Sequence, residues 1–298
     1  MYYFLLAFTY GISILPLWLL YLISDGIYLI IYYVVGYRKK VVFANLRQAF
    51  PDKTNKEITL LAKKYYLNLT DMMVETIKLL TISPENLERR FICDLTVLHE
   101  LYAKGKSCQL HLGHNFNWEW ANQFCMQGVR FPFLVVYMPL TNKTADRLFR
   151  HFREKSGSTL LPANDIREAM QPWYSKQYLI ALVADQNPGN PRRCYWFPFL
   201  NKMTAFYKGP EMTAKRNNIP VVFADIRKVK RGYYHATLKL AFEEPQQAPD
   251  GAITEAFVHF LEKNIHEQPE VWVWSHRRWK HEYKTPTPPL AGTKDGVD

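Results

Sequence analysis

Four residues separate a histidine from a glutamate in SCQLHLGHNFNWEW (107–120), where His114 is followed by Glu119. An imidazole whose far nitrogen is held by a carboxylate is fixed in one tautomer and becomes a better general base. No nucleophilic serine stands beside the pair, so the chemistry it suits is activation of a substrate hydroxyl rather than a covalent enzyme intermediate. Two other readings fit the spacing. A lone histidine near a glutamate is ordinarily structural. His111, His114 and Glu119 could also ligate a metal, although His111 lies inside a strand pattern and no HExxH frame exists. We take the site to hold no metal and no cofactor. Spacing alone leaves all three readings open.

Five positions on a regular helix turn through about 500°, leaving the two side chains roughly 140° apart. They converge only if His114 sits on a turn and Glu119 on the helix that begins there, with Gly113 giving the turn its freedom. The flanking pattern supplies such a frame. Short apolar runs recur at CQLHL (108–112), FPFLVVY (131–137), LIALVAD (179–185), PVVFADI (220–226) and HATLKLAF (235–242), with helical patterns between them. This alternation predicts an α/β fold with a mainly parallel central sheet flanked by helices. Ligands of such sheets bind at strand ends. Asp185 and Gln186 close one of these runs, so they are candidates to position substrate; a polar turn that merely ends the strand is the other reading. Thr54 and Glu57 form a capping-box signature opening a helix that runs to about Leu80. Helices are also expected at Val41–Phe50, Ala145–Glu154, from Asp165, and at Ile253–Gln268.

The first 24 residues select a membrane. Tyr2–Ser24 carries no charge and is long enough to cross a hydrocarbon core of roughly 30 Å. A second apolar run ends at Arg38-Lys39-Lys40. No basic segment precedes the first run and no A-x-A site closes it, which argues against a cleaved signal. We expect an N-terminal transmembrane or interfacial helix over residues 1–37, a catalytic domain over 38–284 on the cytoplasmic side by the positive-inside rule, and a disordered tail over 285–298. The chain has 298 residues, a net charge of +11 and 15% aromatic residues, which excludes a disordered or low-complexity protein. Its four cysteines form no CxxC pair and suit a reducing compartment. The basic balance favours anionic partners. Nucleic acid is not expected, because no zinc-finger spacing or RNA-binding signature is present.

His-x4-Glu after an apolar strand resembles the HX4(D/E) motif of the lysophospholipid acyltransferase superfamily. More specifically, the chain resembles the lipid A biosynthesis (late) acyltransferases, from its N-terminal anchor to about Lys280. The likeness rests on NLRQAFPD (45–52), LHLGHNFNWE (110–119), VYMPLTN (136–142), REKSG (153–157), VADQNPG (183–189), the stretch 196–227 and VWVWSHRRWK (271–280). Two departures stand out: Met138 where an arginine is expected, and Phe199-Leu200-Asn201 for the usual Phe-Phe-Gly. The resemblance implies transfer of a fatty acyl chain from an acyl carrier protein thioester, or a coenzyme A thioester, to a hydroxyl of a lipid A precursor at the bacterial inner membrane. It implies His114 as general base, oriented by Glu119. It makes Arg153 a candidate for a phosphate or the developing oxyanion, with Arg147 and Arg150 sharing its face, and it marks Thr204 and Gly209 as substrate-binding candidates. An aminolipid or lysophospholipid acceptor is the alternative within the same chemistry. A non-catalytic lipid-binding protein is the alternative outside it. The run 271–280 reads either as a headgroup-level belt or as a solvated basic end.

Overall fold

Pro16 divides the apolar N-terminus, because proline lacks the N–H that a continuing helix needs. Helix α1 (Tyr2–Ile14) precedes it. Helix α2 (Leu17–Leu29) follows and continues as a wider π turn over Ile30–Val35. The expected crossing over 2–24 is therefore interrupted. The segment long and apolar enough to cross a membrane is Leu17–Val35, 19 residues. The computed structural model describes residues 1–155, 157–191 and 194–283; the tail expected to be disordered lies outside them.

Helix α3 (Lys39–Ala49) leads to α4 (Asn55–Lys78). The predicted capping box is present: the Glu57 N–H donates to Thr54 Oγ1 at 3.3 Å, and the Thr54 N–H donates to Glu57 Oε2 at 2.8 Å. Pro84 occupies the first turn of α5 (Pro84–Glu88), where a missing N–H costs nothing. Then come β1 (Phe91–Cys93), α6 (Thr96–Ala103), β2 (Cys108–Leu112), α7 (Trp118–Gly128), β3 (Phe133–Tyr137), α8 (Lys143–Lys155) and β4 (Thr159–Pro162). Short α9 (Ile166–Ala169) is followed by β5 (Leu179–Val183), β6 (Cys194–Phe199), β7 (Lys202–Tyr207), α10 (Gly209–Asn217), β8 (Val221–Lys230), β9 (Tyr233–Phe242) and α11 (Ala252–Glu267).

The fold is α/β, with a mostly parallel central sheet flanked by helices. Among the described residues, seven strands run in the order β1-β9-β8-β2-β5-β3-β4, and only the β8–β9 pair of this sheet is antiparallel. All five residues of β2 are buried, as a strand covered on both faces requires. Separately, β6 and β7 form a hairpin whose turn residues, Leu200 and Asn201, both adopt positive φ. Three apolar clusters cover the sheet among the described residues. One joins α3, α4 and α11 to the run 271–280. A second packs Leu98, Trp120 and Phe133 among the strands, and a third gathers Leu134, Leu161 and Ile180 with Ile219.

Candidate active site

Strands β2 and β5 pair in parallel register, from Cys108 opposite Leu179 to Leu112 opposite Val183. Two residues beyond that last pair come His114 and Asp185, so the register sets them side by side at the sheet's C-terminal edge. His114 Nδ1 lies 2.5 Å from Asp185 Oδ1. The His114 N–H donates to Asp185 Oδ2 at 2.8 Å, and the Trp272 indole donates to the same oxygen at 2.7 Å. Burial pushes the Asp185 carboxyl up, but the facing imidazole and these hydrogen bonds outweigh it and hold the group down at about 2. An ionised Asp185 accepts from Nδ1–H, which leaves Nε2 as the lone-pair nitrogen. The Gln186 amide stands 3.0 Å from Nε2 and donates to it.

Gly113 makes this approach possible by its size. A Cβ there would come within 2.5 Å of Leu261 Cδ1 and 3.3 Å of Asp185 Oδ2. The expected need was a free dihedral; the observed need is space between α11 and the carboxylate.

Glu119 does not hold His114. Asn117 caps α7 by accepting from the Glu119 and Trp120 N–H groups, both at 3.1 Å, which fixes Glu119 in the first turn. Its carboxylate receives the Arg153 guanidinium from α8, with Nη2 at 2.5 Å and Nε at 3.1 Å, and the Trp118 indole N–H at 3.0 Å. Among the described residues, no hydrogen bond or ion pair joins His114 to Glu119. The Trp118 ring lies edge-on to His114, with centroids 5.1 Å apart, so one indole touches both groups. A full positive charge on Arg153 is the stronger partner for a buried carboxylate, and Asp185, not Glu119, orients the imidazole.

Beside these groups opens a cavity of about 810 Å³. Leu112, Phe133, Val135, Ile180 and Leu182 give it an apolar wall, while His114, Gln186, Glu119 and Arg153 provide its polar groups. Gly209 lines it at the start of α10, with open space where a Cβ would stand. Met138 is exposed at the rim. Asp185 is buried behind His114. Thr204 is not among the lining residues. Its hydroxyl donates to the Lys202 carbonyl at 2.7 Å and accepts from the Trp279 indole at 2.9 Å. The substrate-binding expectation for Thr204 thus meets a packing role in the β6–β7 hairpin. None of Phe199, Leu200 and Asn201 lines the cavity.

The arginine stripe divides. Arg150 and Arg153 line the cavity, Arg150 pairing with Glu154 at 2.9 Å, while Arg147 covers the Tyr2 ring at 3.9 Å. His111 is buried in β2, 2.9 Å from Gln109 and against Phe223 and Phe257; burial pulls its imidazole down to about 3. Among the described residues, no group of three or more His, Cys, Asp or Glu side chains is placed to hold a metal ion.

The run 271–280 is neither a headgroup belt nor a solvated end. Trp272, Trp274 and Arg278 are buried. Arg278 donates to the Ala205 carbonyl at 2.8 Å and stacks over Phe206, and burial lowers its guanidinium to about 10. Trp272 is the contact to the candidate site that residue types alone did not suggest. Its only signal was position in a motif, since nothing local marks an indole that reaches a strand end 87 residues away.

No curated protein matches the chain closely enough to be compared. Residues 1–281 match the family described as bacterial lipid A biosynthesis acyltransferase. The family is bacterial and membrane-associated, and it acts on a lipid acceptor with an acyl thioester donor. With a match over nearly its whole length, and a buried-carboxylate histidine opening on an apolar chamber, this chain belongs to the bacterial lipid A biosynthesis acyltransferases.

Proposed function

We propose that the protein transfers a fatty acyl chain from acyl carrier protein to a hydroxyl of a lipid A precursor, on the cytoplasmic face of the inner membrane. His114 is the general base. The observation that carries this reading is the Asp185–His114 bond at the edge of an apolar cavity of about 810 Å³, a size that suits an acyl chain.

In this mechanism the acceptor hydroxyl takes the place of the Gln186 amide at Nε2. As its oxygen attacks the thioester carbonyl, its proton passes to Nε2. Asp185 stabilises the imidazolium that forms. The tetrahedral intermediate collapses with cleavage of the C–S bond, and the thiolate takes the proton from Nε2. Gln186, displaced from the imidazole, donates to the substrate oxygen. Glu119 acts through Arg153: it fixes the guanidinium at the cavity wall, where it can face a phosphate or the oxyanion. Asp185 is thus a positioning residue for the base, and Glu119 one for the cation.

Positive charge near the cavity supports an acidic carrier or a phosphorylated acceptor. Lys143, Arg147 and Arg150 line a second hollow that shares Leu140, Asp146 and Arg150 with the first. The test is a mass measurement. Purified full-length protein with acyl carrier protein thioester and lipid A precursor should yield a product heavier by one acyl chain, and lipid A from a deletion strain should lack that chain. Unchanged lipid A, with another lipid losing its acyl group, would redirect the reading to a different acceptor.

A further inference from the structure

The segment Leu17–Val35 has the length of a membrane crossing, yet its docking is that of a surface helix. Contacts with α4 follow it along its course, in antiparallel order. Just before the segment, Ser13 Oγ meets Thr81 Oγ1, past the end of α4, at 2.8 Å, and Lys78 Nζ donates to the Ser13 and Leu15 carbonyls at 2.8 and 3.0 Å. Next, Tyr21 donates to Glu75 at 2.8 Å and Ser24 to Asp71 at 2.9 Å. At the far end, Tyr32 packs on Tyr66, and Lys63 lies over the Tyr33 ring. From Lys78 back to Lys63, α4 extends for roughly 22 Å at 1.5 Å per residue, most of the roughly 30 Å of a bilayer core.

The middle of the segment is the informative point. Asp25 pairs with Arg231 at the β8–β9 turn, 2.6 Å apart, and the same guanidinium binds Asp71 at 2.6 Å. Lys228 reaches Asp71 at 3.0 Å. A helix crossing the bilayer in this position would carry α4, the hairpin turn and these four charged side chains to the depth of the lipid tails, where ionised groups are strongly disfavoured. The opposite face is different. Phe4, Phe8, Trp18, Leu22, Leu29 and Val34 are exposed. Cations stand over tyrosine rings at both ends, Arg147 on Tyr2 and Lys39 on Tyr32. Tyrosines and cations at both ends fit helices lying level with the headgroups.

We propose that α1 and α2 lie along a single leaflet of an anionic bilayer, their apolar face among the acyl chains, and do not cross it. Helix α8 links this face to the cavity: Phe149, Arg150 and Arg153 line the chamber, while Arg147 and His151 hold α1, His151 by a 3.2 Å contact with the Tyr10 hydroxyl. A lipid acceptor then reaches the cavity from the leaflet in which the protein sits. The proposal is independent of the chemistry at His114, and its failure would leave that chemistry untouched.

The experiment places a protease-cleavable tag at each end of the full-length chain and compares sealed membranes of the two orientations. We expect both tags to be cleaved from the same face. Cleavage from opposite faces would overturn the proposal. Helix α1, at 13 residues, is too short to return across the core as a second span. As a second arm, the triple variant Phe4→Asp, Trp18→Asp and Leu22→Asp should bind vesicles of phosphatidylethanolamine and phosphatidylglycerol at least tenfold more weakly while retaining its fold by circular dichroism. Undiminished binding would show that this face is not the embedded one.

Discussion

At the residue scale, the pairing of Glu119 with Arg153 predicts a specific pattern of coupling. The carboxylate is buried, so removing either partner alone leaves an uncompensated charge. Glu119→Gln and Arg153→Met should each destabilise the fold by about 3 kcal/mol, and the double variant by clearly less than their sum. Denaturant unfolding of the three variants checks this; additive losses would mean the pair is not coupled. Asp185 gives a pH signature. Its carboxyl is held at about 2 in the folded chain against about 3.9 when unfolded. A depressed carboxylate stabilises fully above the unfolded value and loses that contribution as pH falls through the folded one. Asp185→Asn should therefore lose less stability than the parent between about pH 5 and pH 1, by on the order of 2–3 kcal/mol. Throughout the working range Asp185 stays ionised, so any acid-side loss of turnover belongs to another group.

At the element scale, the strand ends and caps were legible in the sequence and the cross-chain partners were not. Residues CQLHL, LIALVAD and the Thr54 capping box appear where their patterns put them, because burial and end-group satisfaction act within a few residues. The pairing of His114 was misassigned because helical spacing measures only distances along one element. Asp185 stands 71 positions away and is brought close by strand register. The parallel endings LHLGH and LVADQ were a usable signal: two adjacent parallel strands ending in step bring the residues just beyond them together. Strands β1, β4, β6 and β7 are short or amphipathic, so periodicity gave little sign of them. Pro16 was a visible helix break whose effect the long uncharged run obscured. The turn at Gly232 makes a further prediction. Its φ is +72°, and an added Cβ would strike the Tyr21 hydroxyl at 2.1 Å. Gly232→Ala should cost about 1–3 kcal/mol and loosen α2 from the domain, as hydrogen exchange along α2 would reveal. Unchanged protection there would contradict the docking described for α2.

At the scale of the whole molecule, one side of the sheet edge is a chamber and the N-terminal helices present a neighbouring apolar face, with α8 between them. Ala181 lies on the chamber wall. Ala181→Leu should shift preference toward shorter acyl chains, read by competition between thioesters of different length; an unaltered preference would mean the acyl chain lies elsewhere. The net charge of +11 predicts that binding to anionic vesicles weakens as salt rises, since screening shortens the reach of surface charge to about 8 Å at 0.15 M.

The decisive measurement is a double-mutant cycle on acyl transfer with His114→Ala, Asp185→Asn and the pair. His114→Ala should reduce kcat by on the order of 10²–10⁴. Asp185→Asn should approach that loss with little change in KM, and the double variant should be scarcely worse than His114→Ala alone. Near-normal turnover in Asp185→Asn, with Glu119→Gln instead adding nothing to the loss in His114→Ala, would contradict the assignment of Asp185 as the partner of the base.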